Sequence, residues 1–532
     1  MDRLKKSSLA NHVNGIKALP RAVLNWRLFL SCFVFGMCGT PKGWDEGSAA
    51  SITSLASFSR KYHLDDATIS NIVSLVNVGA GVGALLSFFL NDKLGRIWSM
   101  RVYQALYAIG SLVACFSYGN AGALYAGRII AGLGIGACSV VGPMAIAEIA
   151  PKTIRGFLTL WFNICMLGSQ ALGSFTVLGC SINISPALDL QYQVPWFVQT
   201  FVPALAIGLS FFTCESPRWL AITGRMEEAK DTLYNLRGLP EDDASMQLEY
   251  AQLVSHIEDE NSGNPQDGYL AIIKETFGKR SNLRRVQLTI VAYILAQFSG
   301  ANSITNYLPT IFGLIGVKGT SAKIYSTGLY AVAKLVCCFA ASLFIVDILG
   351  RRKSLMLGVT VQMMCHAYLA GYLKHFRSNP SSVPSGASDA AIAIIYIHAF
   401  GWAVGLYTLP YLFGAELWPN RIRSFGGAVS QCFHWLFYFA AITKATPSIL
   451  SSMAVWGAFV FFLAWCVVAF VYTVFCVPET RGLSLDEMDA IFERPIYKMR
   501  KPLPRSADEE FGAAEKAQVA ALEMSSAKHL GN

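Results

Sequence analysis

The apolar residues of this chain are gathered into twelve runs, each close to the about 20 residues that a helix needs to cross the hydrocarbon core of a bilayer. The runs are roughly 26–49, 68–90, 102–119, 121–146, 157–178, 195–213, 286–313, 324–346, 355–373, 390–414, 427–450 and 453–476. They fall into two sets of six. This pattern leaves room for one architecture, an all-α membrane protein of twelve transmembrane helices in two six-helix bundles. The implied order is an N-terminal segment 1–25, a first bundle 26–214, a polar linker 215–284, a second bundle 285–480 and a polar tail 481–532. Composition agrees: 53% of residues are hydrophobic and 14% charged, against about 25% charged in soluble proteins. A soluble enzyme, a disordered scaffold and a nucleic-acid binder are excluded on that basis.

The formal net charge is +9, an excess that membrane proteins place in cytoplasmic loops. With the N-terminus inside, Lys93, Arg96, Arg101, Lys152, Arg155, Arg351, Arg352, Lys353, Arg421 and Arg423 fall in short inside loops. Fewer basic residues fall outside: Arg60, Lys61, Lys318, Lys323, Lys374 and Arg377. Both termini are therefore expected in the cytoplasm. The sequon at Asn183 then lies outside, as glycosylation requires. Residues 1–25 lack the apolar core and cleavage site of a signal peptide. In the linker, Arg225–Leu236 and Ala244–Glu260 have the spacing of amphipathic helices, as a solvated connector or as part of a gate. The thirteen cysteines stand mostly alone inside apolar runs and read as small apolar residues. Gly132, Gly134 and Gly136 suit close helix packing better than a dinucleotide loop, and His366 and His398 read as core residues. No cofactor and no metal site is expected.

The two halves repeat each other. Gly95-Arg96 after span 2 matches Gly350-Arg351 after span 8. Ala147-Glu148 to Arg155 after span 4 matches Ala415-Glu416 to Arg423 after span 10. Glu215 after span 6 matches Glu479 after span 12. The offsets are 255, 268 and 264 residues, near-equal, as duplication of a six-helix unit produces. Parallel repeats of this kind build transporters whose halves rock about a site near the midplane. Arg pairs bidentately with carboxylates, so Arg96, Glu148, Arg155, Glu215, Arg351, Glu416, Arg423 and Glu479 are candidate gating ion pairs. Plain positive-inside anchoring is the alternative.

At these residues the chain resembles the sugar porter family of the major facilitator superfamily. Gly127-Arg128 through Gly132, Pro143, Glu148 and Pro151 resembles that family's span-four motif. Glu215-Ser216-Pro217-Arg218, Gln297-Phe298-Ser299-Gly300-Ala301-Asn302 and Val477-Pro478-Glu479-Thr480-Arg481-Gly482 resemble three further motifs. The overall style is similar to fungal permeases for sugars, polyols and quinate-like ring acids. The resemblance implies two six-helix bundles, alternating access and, in proton-coupled members, an Asp in span 1 paired with the span-4 Arg. Here these are Asp45 and Arg128. Only Asp45 of the two can give up its charge by taking a proton, so the pair is a candidate for proton coupling, with a purely structural ion pair as the alternative.

The family's solute site transfers in part onto Asn163, Gln297, Asn302, Asn306, Tyr411 and His434: Gln297 and Asn302 match its amides, and Asn306 stands where an aromatic is common. Asn163, Ala296, Tyr411 and His434 depart from the residues usual there, which argues against an ordinary hexose. Lys42 and Lys444 are unusual bases inside spans and candidate anion contacts, although Lys42 and Glu46 at i, i+4 can neutralise each other. The sequence therefore reads as a plasma-membrane secondary transporter, with a small polar solute, protons and lipid as partners, no nucleic acid, and a monomeric state. Its rivals are a facilitator or metabolite exporter of the same fold, and a nutrient-sensing receptor.

Overall fold

A computed structural model describes residues 19–151, 154–240, 242–262, 269–378, 385–407, 417–419, 422–479 and 491–494. The described residues form helices and connecting turns, without strands. All twelve expected spans are present as helices. Span 1 runs through Trp26–Gly36, Met37–Gly39 and Thr40–Thr53, span 2 is Asp66–Leu94, span 3 Arg96–Cys115, span 4 Ala121–Ile149, span 5 Arg155–Asn183, and span 6 Leu190–Val198 with Phe201–Leu209. In the second half, span 7 is split into Arg280–Phe298, Ala301–Asn306 and Leu308–Leu314. Span 8 is Thr320–Ala340 continued by Ala341–Ile345 and Val346–Leu349, and span 9 is Arg351–Ser378. Span 10 is Ser385–Trp402 with Ala403–Tyr407, span 11 Arg423–Cys432, Phe433–Phe439 and Ala440–Ser452, and span 12 Trp456–Cys476.

Eight of these pass a test of length and hydropathy alone, namely spans 1, 2, 4, 5, 6, 8, 10 and 12. Helix starts follow local chemistry. The side chains of Asn25, Asp65 and Asn120 accept the backbone N–H of Leu28, Thr68 and Ala123 at 2.9, 2.8 and 3.1 Å, capping spans 1, 2 and 4.

The packing is twofold. Span 2 packs on span 4, span 3 on span 4 and span 1 on span 5; in the second half span 8 packs on span 10, span 9 on span 10 and span 7 on span 11. The bundles meet where span 5 lies on span 8 and span 2 on span 11, which are symmetry-related contacts. The glycines of span 4 allow the closest approaches. A Cβ on Gly132 or Gly136 would meet the carbonyl oxygens of Val76 and Ala80 in span 2 at 2.1 and 1.8 Å, and one on Gly134 would meet Tyr103 O in span 3 at 2.4 Å, so they serve packing.

Three features differ from the expectation. Span 3 begins six residues early, at Arg96, because Glu215 caps it. Span 7 is not one helix: Gly300 takes φ +82°, and a Cβ there would meet the Phe462 ring at 2.4 Å. Two π-helical turns interrupt spans 10 and 11, and a third, Ala341–Ile345, lies near the end of span 8; each inserts a residue and turns the helix face. In the linker the helices are Met226–Arg237 and Ala244–Ser262, near the expected limits, with Pro217–Ile222 and Tyr269–Gly278 besides. Asn25 Nδ2 donates to Leu236 O at 3.0 Å, and Arg237 Nη1 to Ile149 O at 2.9 Å, so Met226–Arg237 is fastened to the first bundle.

Candidate solute and coupling site

A cavity lies between the bundles. The first bundle contributes Lys42 and Glu46 from span 1 and Met166 from span 5. The second contributes Tyr293, Ala296, Gln297 and Asn302 from span 7, Lys334 from span 8, Trp402, Leu406 and Tyr407 from span 10, and His434 from span 11. The interruptions in spans 7, 10 and 11 serve this cavity. Gln297 and Asn302 stand on either side of the break at Gly300, and Tyr407 and His434 lie in the two π-helical turns.

The amides form a chain. Asn302 Nδ2 donates to Gln297 Oε1 at 2.5 Å, and Gln297 Nε2 lies 3.1 Å from His434 Nδ1. Which of these two groups donates depends on the His434 tautomer. Its ring rests 4.7 Å from that of Tyr293, whose hydroxyl accepts from Gln431 at 3.3 Å. Asn306 Nδ2 donates to Asn302 O at 2.8 Å, so this amide is engaged with its own helix. Asn163 lies beside the cavity rather than in its wall, accepting from the Tyr407 hydroxyl at 3.2 Å. Tyr411 lies outside the described residues; Tyr407, four residues earlier, lines the cavity.

Consecutive residues of span 1 address different partners. Asp45 is held by Arg128 of span 4 through both guanidinium nitrogens. Arg128 is 1% exposed, also donates through Nε to Ile72 O at 2.7 Å, and stacks 5.4 Å from Trp196. Four spans of the first bundle thus surround this pair. Glu46, one residue and about 100° further round the helix, turns to Lys42 at 2.5 Å and to Lys334 of span 8 at 3.7 Å. Lys42 also sits 4.6 Å over Trp435, and Lys334 5.9 Å from the Tyr407 ring. Lys334 went unremarked in the sequence, although a lysine inside an apolar run is itself a signal of function. Lys444 is elsewhere: its ammonium meets the Asn71 side chain and its carbonyl accepts from Ser70 at 2.7 Å, where spans 2 and 11 cross.

The repeated motifs meet at one end of each bundle. Glu215 accepts the backbone N–H of Arg96 at 3.0 Å, of Ile97 at 3.1 Å and of Ser216 at 2.9 Å. Glu479 accepts from Arg351 at 2.9 Å and Arg352 at 3.2 Å. Each caps the helix that follows a left-handed glycine, Gly95 at φ +86° and Gly350 at φ +87°. A side chain there would be strained and would strike the carboxylate, 2.7 and 2.6 Å from the Cβ position. Burial pushes the Glu215 carboxyl above its ordinary range, opposed by those N–H donors. The Arg96 side chain takes Glu148 bidentately at 2.8 and 2.9 Å and Asp92 at 3.0 Å. The partners of Arg96 and Glu215 lie in the first half of the chain, and Glu479 caps within the second. Arg155 stands exposed at the start of span 5, and Asn183, also exposed, ends span 5 with its amide on Gly179 O at 2.8 Å. Glu416 and the side chain of Arg423 lie outside the described residues.

Two repeated bundles around a polar cavity, with broken helices lining it, define a secondary transporter. The family described as "Sugar (and other) transporter" matches residues 31–492. Curated relatives include a probable quinate permease of Neosartorya fischeri, 30% identical over 491 residues that cover 90% of each chain, and the quinate permease of Emericella nidulans, 29% identical over 502 residues, 92% of this chain and 93% of the other. The fold matches the proton:xylose symporter XylE bound to 6-bromo-6-deoxy-D-glucose with a TM-score of 0.72 at 21% identity, over 88% of this chain and 99% of that one. A partially occluded inward-open form of XylE from E. coli gives 0.70 at 20% identity, over 87% and 100%. The chain belongs to the sugar porter family of the major facilitator superfamily, and it is a multi-pass membrane transporter, not an enzyme.

Proposed function

We propose that this chain is a proton symporter for a small polyhydroxylated acid of the quinate or sugar-acid kind, working by alternating access as a monomer in the plasma membrane with both termini cytoplasmic. The observation that carries the coupling is the buried Asp45–Arg128 pair. An intramembrane carboxylate is costly without a partner, and protonating Asp45 removes its half of the attraction, freeing Arg128 and shifting the balance between outward and inward states. Hydroxyl recognition falls to Gln297 and Asn302, whose amides both donate and accept. The acid class is supported by the lysines that face Glu46 in the cavity wall and by the names of the quinate permeases among its relatives.

The test is uptake into proteoliposomes of labelled quinate, galacturonate, glucose and myo-inositol, with and without an inward proton gradient. Gradient-driven accumulation of an acid is the expected result. Equilibration indifferent to the gradient would make the chain a facilitator, and glucose as the best solute would overturn the acid. Cysteine labelling of intact cells at position 183 and in the tail tests the orientation; outside labelling of the tail reverses it.

A further inference from the structure

Lys334, 2% exposed, carries an ammonium into the cavity from the apolar span 8. Its nearest anion is Glu46 Oε2 at 3.7 Å, while Glu46 Oε1 is held by Lys42 at 2.5 Å. One carboxylate is thus shared unequally between two ammoniums, one from each bundle. The 3.7 Å separation is well beyond the roughly 2.7–2.9 Å of a charge-assisted hydrogen bond, so Lys334 is neutralised only in part. Asp45 cannot help, because Arg128 already holds both of its oxygens. Among the described residues of the cavity wall, two ammoniums stand against one carboxylate, one positive charge in excess at a depth where unmatched charge is expensive. A solute with a single carboxylate closes that balance.

We propose that Lys334 is the carboxylate-binding residue of this transporter and that Glu46 is a built-in counter-ion, which yields Lys334 to the solute and falls back wholly on Lys42. The proposal rests on the transporter reading above and deepens it. Gln297 and Asn302 are then left for the hydroxyls. Because the Glu46–Lys334 contact joins span 1 to span 8, an arriving carboxylate also releases a direct tie between the bundles. A neutral sugar does neither.

The probes are quinate and quinamide, which differ in charge far more than in shape, competed against labelled quinate on the full chain in proteoliposomes. Wild type is expected to prefer quinate by roughly tenfold or more. Lys334→Gln should bring that preference to within about twofold by weakening quinate alone, and Lys334→Arg should keep most of it. Glu46→Gln, which removes the competitor, should bind quinate at least as tightly as wild type. A preference for quinate that survives in Lys334→Gln overturns the site but leaves the acid reading standing. So does a Glu46→Gln variant that loses quinate as severely as Lys334→Gln. No preference in wild type, with glucose or myo-inositol transported instead, defeats the acid reading and this site together. If Lys334→Gln fails to fold, judged by its melting temperature, Lys334→Arg and Glu46→Gln still decide.

Discussion

The two bundles share a frame and differ in what they hold. At one end they are near copies: Gly95 and Gly350 at almost the same φ, each followed by a helix start capped by Glu215 or Glu479. Inside, the first bundle buries a bidentate ion pair, Asp45–Arg128, enclosed by spans 1, 2, 4 and 6. The second has amides and imidazoles instead. The chain Asn302–Gln297–His434 lines the cavity, and His366 and His398 sit behind it, His366 Nε2 2.8 Å from the Ser299 carbonyl at the break in span 7. Its span 7 breaks at Gly300, which sets Gln297 and Asn302 on either side of the break in the cavity wall. On the proposed reading the duplicated frame serves two tasks, charge storage on one side and hydroxyl recognition on the other, and Glu46–Lys334 joins them.

If that division is right, the largest loss should come from Arg128→Ala. It strands the Asp45 carboxylate, and breaking a buried pair costs about 3–5 kcal/mol, so both transport and folding yield should fall, read by uptake and by thermal melting. Asp45→Asn should cost less and differently: gradient-driven accumulation disappears while solute exchange across the membrane persists, because the amide keeps a hydrogen bond but cannot titrate. Unchanged accumulation would move the coupling out of the first bundle. In the second bundle, Gln297→Ala should weaken the solute by roughly tenfold, as loss of a paired hydrogen bond implies, with the proton dependence intact. Loss of proton dependence in that variant would dissolve the contrast. Glu215→Gln and Glu479→Gln test the shared frame. Each weakens a cap worth about 0.5–2 kcal/mol, so their melting temperatures should drop by similar small amounts. The smallest effect belongs to Lys444→Ala, which should leave every solute affinity within about twofold, since its ammonium meets Asn71 outside the cavity.

Much of this was written in the chain. Hydropathy acts over about twenty residues at a time, so twelve runs specified twelve helices, and the recurrence of Gly-Arg and Glu at near-constant offsets specified the repeat. Asp45 and Arg128 could be matched because the resemblance to the sugar porter family implies an Asp in span 1 paired with the span-4 Arg, and an intramembrane charge needs such a partner. The roles of Glu215 and Glu479 were less legible: the sequence suggested salt bridges, and the structure shows both carboxylates accepting backbone N–H groups, because the glycine turn brings a helix start against them.

Which side chains share the cavity was decided by tertiary structure alone. Lys42, Lys334 and Lys444 are equally lysines in apolar runs, yet the first two meet across Glu46 and the third lies where spans 2 and 11 cross. The π-helical turns at Ala403–Tyr407 and Phe433–Phe439 shift the helical phase by one residue, about 100° of rotation, which periodicity counted along the sequence does not register. Span 1 meets span 8 only after both bundles have folded and docked. No local rule sets that contact, so the charge balance of the cavity, two ammoniums against one carboxylate, is a property of the assembled bundles.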